Sequence, residues 1–293
     1  MTRVAIAVIG FVIGFFLVFS SLQHAPALPL PGHQPPFFLG STAQTGFGNL
    51  SADGTANNKG TSSATVAINL SAATAGDIIV VATNCYRTAA QGSLTSVSTV
   101  ASTNLPSGGW HLRKQLQMSG TNSSGLGITA FNDLEIWWTY SSATLSAESI
   151  TVTYGAACDC LQSWGLAVKG FIGTLYQTAP WDVNASLPAA RTDQGTSELP
   201  NNPSITTTAS HFMLIQAVGT YGGIYTQNLT SDATCCTGGA DTNIDNSNTR
   251  QANLAVQYGP VPQTGTIASG YTLIMGGSMP FTYHAIADAL TSP

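Results

Sequence analysis

From about Ser63 the chain runs in short apolar/polar alternations separated by clusters of Gly, Asn, Ser and Thr. A period of two puts successive side chains on opposite faces of an extended strand. In 148–155, Ile150, Val152 and Tyr154 share one face, and Thr151 and Thr153 take the other. In 127–140, Leu134, Ile136, Trp138 and Tyr140 share a face, with Asp133, Glu135, Trp137 and Thr139 opposite. This half-buried rhythm is that of antiparallel sheets. The runs 78–82 and 212–215 are apolar on both faces and read as central strands. The remaining predicted strands are 64–70, 94–101, 110–118, 163–172, 204–208, 252–259, 268–275 and 281–290, with the central pair extending to 76–84 and 211–219. Beyond the N-terminus no segment carries a 3.6-residue period. The pattern predicts an all-β, antiparallel β-sandwich, Ig-like or jelly-roll, preceded by an N-terminal hydrophobic helix.

The order of phrases hints at repetition. Leu134-Glu-Ile, Ile150-Thr-Val-Thr-Tyr and Gly165-Leu-Ala-Val are followed later by Leu254-Ala-Val, Tyr271-Thr-Leu-Ile and His284-Ala-Ile-Ala. Each set follows an apolar central strand, Ile78–Val81 or Phe212–Ile215. Duplicated halves at 63–173 and 204–290 would produce this order, and so would any two antiparallel sheets. Residues 174–203 hold no Gly/Ser linker run, which favours one sandwich domain over 63–293.

Two segments precede that domain. Val4–Leu22 carries no charge, and its 19 residues would span roughly 28 Å as a helix, close to the thickness of a bilayer core. Residues 1–22 are therefore a cleaved signal peptide or a retained membrane anchor, and Arg3 places everything after them outside the cytoplasm. Residues 23–62 form a Pro/Gly/Ser/Thr-rich stalk or tail, with five prolines between Gln23 and Pro36 and an apolar patch at Phe37-Phe38-Leu39.

Composition sharpens the compartment. Only 7% of the residues are Asp, Glu, Lys or Arg, against roughly 25% in ordinary domains. The surface must be wetted by hydroxyls, amides and backbone, which suits an extracellular or cell-surface location. Few carboxylates also suit an acidic environment, because few groups must be protonated as pH falls. The net charge of −5 with no basic cluster excludes nucleic-acid binding by phosphate neutralisation.

The five cysteines fall in three places: Cys85, Cys158 with Cys160, and Cys235 with Cys236. In an exported chain disulfides between clusters are expected, since bonds between near neighbours are strained; a thiolate site for zinc or copper is the alternative. Asp241, Asn243 and Asp245 set oxygens at alternate positions, as at the start of a calcium loop. Asn246 and Ala252 stand where that loop needs its glycine and its bidentate glutamate, so only a looser calcium site is in play. No other cofactor is suggested.

Trp137, beside Glu135 and Asp133, would make a sugar-stacking face if that face looks outward; burial of Trp137 beneath a loop or sheet is the alternative. The same acids, with Glu148, are the only candidates for a two-carboxylate hydrolase. Nucleophile-elbow, zinc-protease, phosphate-loop and dinucleotide motifs do not occur, and no residue is assigned a catalytic role. Sequons stand at Asn49, Asn69, Asn122, Asn184 and Asn228.

The phrases Thr74-Ala-Gly-Asp-Ile-Ile-Val-Val-Ala, Thr95-Ser-Val-Ser, Trp110, Ile136-Trp-Trp and Ile150-Thr-Val-Thr resemble a β-sandwich module of large secreted microbial surface proteins. The resemblance covers roughly 64–173 and implies display or adhesion without chemistry. The layout of export signal, tail and sandwich is also similar to that of archaeal thread-like pilins, in which the tail inserts as a strand into the next subunit. The expectation is an exported surface β-sandwich with a structural or adhesive role. It would self-associate through 37–50, where Phe37, Phe38, Leu39, Phe47 and Leu50 fill a neighbour's groove, or form a filament. The alternatives are a carbohydrate-binding module for surface polysaccharide, or an acid-adapted extracellular hydrolase. Membrane contact is through 4–22 if that segment is retained.

Overall fold

The computed structural model describes residues 49–105, 109–121, 129–195, 203–221, 227–231, 252–262, 264–268, 271–275 and 281–292. The expected N-terminal helix lies outside them. Within them the chain is all-β, with two single-turn 3₁₀ segments, Ala89–Gln91 and Leu175–Gln177. The strands are β1 (Ser51–Ala72), β2 (Asp77–Thr88), β3 (Val97–Ser102), β4 (His111–Thr121), β5 (Thr129–Ser141), β6 (Leu145–Lys169) and β7 (Ala189–Gly195). They continue as β8 (Ser204–Thr207), β9 (Phe212–Tyr221), β10 (Gln227–Ser231), β11 (Ala252–Val261), β12 (Gly265–Ala268), β13 (Tyr271–Met275) and β14 (Phe281–Leu290).

Two boundaries differ from expectation. Residues 51–62, assigned above to the tail, are the first half of β1. The segments 148–155 and 163–172 are parts of one 25-residue strand, β6. The ribbon bends near Gly155–Cys158, at the start of the break 156–162 that the sequence suggests. β1 pairs with β6 along nearly its whole length. On its other side β6 pairs with β3 through Ile150–Tyr154 and with β2 through Cys160–Val168. The bend folds the ribbon onto itself: a Cβ on Gly54, early in β1, would sit 1.8 Å from the carbonyl oxygen of Ser71, near its end.

The result is a stack of layers. The first sheet runs β1-β6-β2-β5-β4. Ile79, Val81, Cys85, Leu161 and Ala167 on one of its faces pack against Val66, Ile68, Leu70, Ile150, Val152 and Tyr154 of the folded-back ribbon. Ile78, Val80, Ala82, Leu134, Ile136 and Trp138 on its other face meet the second sheet, β11-β9-β14-β7. Burial on both faces is why Ile78–Ala82 is apolar without alternation. The far face of the second sheet is covered in part by the β8–β12 pair through Ile205 and Ile267.

The second sheet repeats the connectivity of the first. The order β5-β2-β6-β1 recurs as β11-β9-β14-β7; β3 on β6 recurs as β10 on β13, and the far half of β1 on β6 as β8 on β12. Among the described residues β4 has no counterpart. Register matches too: Val80 stands beside Trp138 and Leu166, and Ile215 beside Tyr258 and Asp288. On that register the inter-sheet core is filled by equivalent positions: Ile78 and Met213, Val80 and Ile215, Ala82 and Ala217, Leu134 and Leu254, Ile136 and Val256, Trp138 and Tyr258, Trp164 and Ile286, Val168 and Leu290. It also aligns His284 with Gln162, three residues from the match suggested by the sequence phrases.

Two features of this packing generate tests. Cys85 of β2 and Cys158 at the bend of β6 form a disulfide with Cα atoms 5.6 Å apart and 73 residues of separation. Closing a loop of that length limits the unfolded chain, so Cys85→Ser should lower unfolding free energy by about 2–4 kcal/mol, read by denaturant titration. Gly219 takes the place equivalent to Asn84 and meets it across the interface: a Cβ there would lie 2.5 Å from Asn84 Oδ1. Gly219→Ala should cost about 1–3 kcal/mol through overpacking, and Asn84→Ala in the same chain should recover part of it.

Candidate functional site

The residues singled out for sugar binding stand on β5, on the face turned toward the folded-back ribbon. Alternation puts Asp133, Glu135 and Trp137 together, and β4 adds Gln115 opposite Glu135 and Gln117 opposite Asp133. That face is interior. Asp133 and Glu135 are each 1% exposed, and Trp137 packs against the apolar cluster of the ribbon. Of the two readings of this face, an outward aromatic platform or burial beneath another sheet, the structure takes the second: the bend in β1 and β6 lays a second layer over it.

Glu135 is a structural acceptor. It takes hydrogen bonds from the Trp137 indole N–H (2.6 Å), the Val97 backbone N–H (2.9 Å) and Gln115 Nε2 (3.0 Å). Gln115 Nε2 also donates to Asp133 Oδ1 at 2.8 Å. One carboxylate thus ties β3, β4 and β5 together. Burial, then hydrogen bonding and repulsion from Glu135, push the Asp133 carboxyl well above the carboxylate range. Tyr154, fully buried, is likewise held protonated by burial and by the two carboxyls. A proton-bearing acid beside a second carboxyl has the form of an acid/base pair. Both oxygens of Glu135 and Oδ1 of Asp133 accept from groups inside the fold, and both carboxyls are shielded from solvent.

The other acids are similarly employed. Glu148 accepts the backbone and side-chain N–H groups of Asn104 at 2.7 and 2.8 Å, fixing the connection after β3. Asp182 accepts from the backbone of Asn184, Thr208 and Ala209 and from the Thr208 hydroxyl. Asp288, on β14, pairs with Arg113 of β4 at 2.6 Å across the two sheets, and Arg113 lies 4.9 Å above the Trp181 ring. Sequence reading passed over Arg113, Gln115 and Asp288; a lone charge in an apolar strand such as Ala285-Ile-Ala-Asp-Ala-Leu290 was the available signal.

A second polar group lies between the sheets. Asn84, Asn132, Gln162 and His284 are all fully buried. Asn84 Nδ2 donates to the Asn253 carbonyl (3.3 Å) and Gln162 Nε2 to the Ala252 carbonyl (3.0 Å), joining β2 and β6 to β11. Burial lowers the His284 pKa to about 4.

Of the remaining candidates, Cys85 and Cys158 are bonded to each other, so one bridge between clusters is formed; Cys160 is buried at the end of the inter-sheet space with Tyr86, Ala130 and Ala252. Cys235, Cys236, Asp241, Asn243, Asp245 and Asn122 lie outside the described residues. Asn49 and Asn69 are exposed and Asn184 half-buried, while Asn228 is in β10. Among the described residues no cluster of three His, Cys, Asp or Glu side chains is placed to hold a metal. An apolar cleft of about 440 Å³ opens beside the entry of β1, lined by Leu50, Phe212, Pro260, Val261 and Pro262. Leu50, expected in a neighbour's groove, is instead part of this chain's inter-sheet core.

No family model, curated protein or solved structure matches the chain.

The buried acids give stability a defined pH dependence. Asp133 and Asp288 have raised pKa values, and Asp77 reaches about 7, each mainly through burial. Acids raised in the folded state contribute fully below the unfolded value of about 4 and lose that contribution as pH climbs to the folded one. His284 is depressed, so its contribution is complete above about 6.5 and is lost toward 4. Thermal stability should therefore peak between about pH 4 and 6.5 and decline toward alkaline pH. Asp133→Asn should flatten the alkaline limb; a Tm profile rising through pH 8 would contradict the assignment.

Proposed function

We propose that the protein is an exported, surface-displayed β-sandwich with a structural or adhesive role. The observation that carries this reading is that Asp133, Glu135, Glu148, Asp182 and Asp288, acids that could otherwise do chemistry, are buried and bound into the fold as acceptors or ion-pair partners. Three further features support it. The Cys85–Cys158 bridge fits an oxidising compartment. The uncharged Val4–Leu22 segment and the proline-rich 23–36 supply an export signal and a spacer. The charge-poor composition suits a fold that keeps its few ionised groups for internal joints.

Self-association through the tail is the assembly mode we favour. Phe37, Phe38, Leu39 and Phe47 are the aromatic and aliphatic groups it has to offer, and an apolar cleft such as that lined by Phe212, Pro260 and Val261 is the kind of surface that would receive them from a neighbouring copy. Because Leu50 belongs to the chain's own core, the informative truncation stops short of it. Deleting 37–48 should abolish higher-order species in size-exclusion chromatography while leaving the melting temperature of the sandwich within a few degrees. Full-length protein that stays monomeric at high concentration would count against assembly. Protease shaving of intact cells that leaves the protein undigested would count against display itself.

A further inference from the structure

Lys169, Asp53 and Asp77 meet where β1, β6 and β2 lie side by side. Lys169 ends β6, between the start of β2 and the bulge of β1 at Ala52–Gly54 that carries Asp53. Lys169 Nζ is 2.7 Å from Asp53 Oδ1, and the Asp53 side chain is only 3% exposed. The Thr74 backbone N–H donates to Asp53 Oδ2 at 2.6 Å. Asp77 is fully buried, and neither of its carboxyl oxygens has a hydrogen-bond donor. A buried acid with no donor, set against an amine–carboxyl pair in a chain with only three lysines, is more than an ion pair needs.

We infer that Lys169 and Asp53 are the two ends of an intramolecular isopeptide bond, formed by condensation with Asp77 as the proton carrier. The steps balance. The Lys169 ammonium first gives a proton to Asp53 Oδ1, converting the ion pair to an amine and a carboxylic acid. The Nζ lone pair then attacks Asp53 Cγ. Oδ2, held by the Thr74 N–H, carries the developing negative charge, as an oxyanion-hole donor would allow. Asp77 gives its proton to the Oδ1 hydroxyl, which leaves as water, and takes one from Nζ. The Nζ–Cγ bond forms, the Cγ–Oδ1 bond breaks, one water is released, and Asp77 ends as it began; no oxidant or other reactant enters.

The surroundings suit each role. Burial and the Asp53 carboxylate raise the Asp77 pKa to about 7, so it carries a proton in mildly acidic and neutral media. Burial pushes Asp53 up, but its bonds to Lys169 and Thr74 outweigh that and keep it ionised, while the hydrogen bond and charge of Asp53 raise Lys169. The starting state is therefore an ion pair, and proton transfer within it is the entry to reaction. Condensation of an amine and an acid is unfavourable in dilute solution, but fixing the partners in contact supplies effective concentrations of about 10⁵–10⁸ M.

The inference does not depend on surface display. The full-length protein, reduced and denatured, is analysed by intact mass and by peptide mapping. The expected result is a mass one water below that of the same chain unlinked, with the peptide containing Asp53 joined to the peptide containing Lys169 and no tryptic cleavage after Lys169. Asp77→Asn should restore the unlinked mass, and Lys169→Arg should do so independently. A wild-type mass without water loss, with Lys169 cleaved by trypsin, would overturn the bond whether or not any variant folds. Persistence of the joined peptide in Asp77→Asn would overturn the role given to Asp77.

Discussion

The inter-sheet core is the contact on which the remaining layers depend. Two sheets of like connectivity present like faces to one another, and matched positions such as Trp138 with Tyr258 and Val80 with Ile215 fill the space between. Neither sheet is self-sufficient in that face. Removing one would expose a continuous apolar surface of the kind soluble proteins seldom leave open. The polar groups at the margin of this core, Asn84, Gln162 and the Arg113–Asp288 pair, join opposing strands by directional bonds. Apolar contact supplies the attraction, and these bonds select one register, since a slipped pairing would strand buried polar atoms.

The second organising element is the β1–β6 ribbon. By bending at Gly155–Cys158 it serves two layers at once, pairing with β2 in one and with β3 in the other. The bend converts what would be an outer face of β2 and β5 into an interior one. It therefore also determines the chemistry of that face: Glu135 accepts three donors because β3 is brought over it, and Asp133 holds its proton because water is displaced.

Much of this was legible from residue order. The alternation in 127–140 and 148–155 placed the right residues on common faces, and the uninterrupted apolar runs marked β2 and β9 as central. What the sequence could not convey was which face meets solvent. Alternation sets Asp133, Glu135 and Trp137 on one face but leaves it open whether that face is outward or covered, and only a long-range fold-back covers it. The first half of β1 was hidden for a related reason: Asp53-Gly-Thr-Ala-Asn-Asn-Lys-Gly60 has the composition of a loop, and pairing with β6 makes it a strand. β7 and β10, rich in polar residues, were missed on the same ground. Burial of Asp288 and Arg113 depends on partners 175 residues apart, beyond the reach of any local pattern.

The ends of the described chain lie together. Ser51 begins β1 opposite Lys169, and Ile172, three residues beyond, donates its N–H to Ser292 Oγ at 2.8 Å. Entry and exit therefore share one pole, while the last residues of β2 and β9 and the first of β5 and β11 meet at the other, where Tyr86, Ala130 and Ala252 pack together and Tyr221 pairs with Ala252. A body of this kind has a built-in polarity: whatever holds it by either end leaves the same set of strand ends farthest from the point of attachment. Insertion between two other segments would add a side branch to a chain while barely lengthening it.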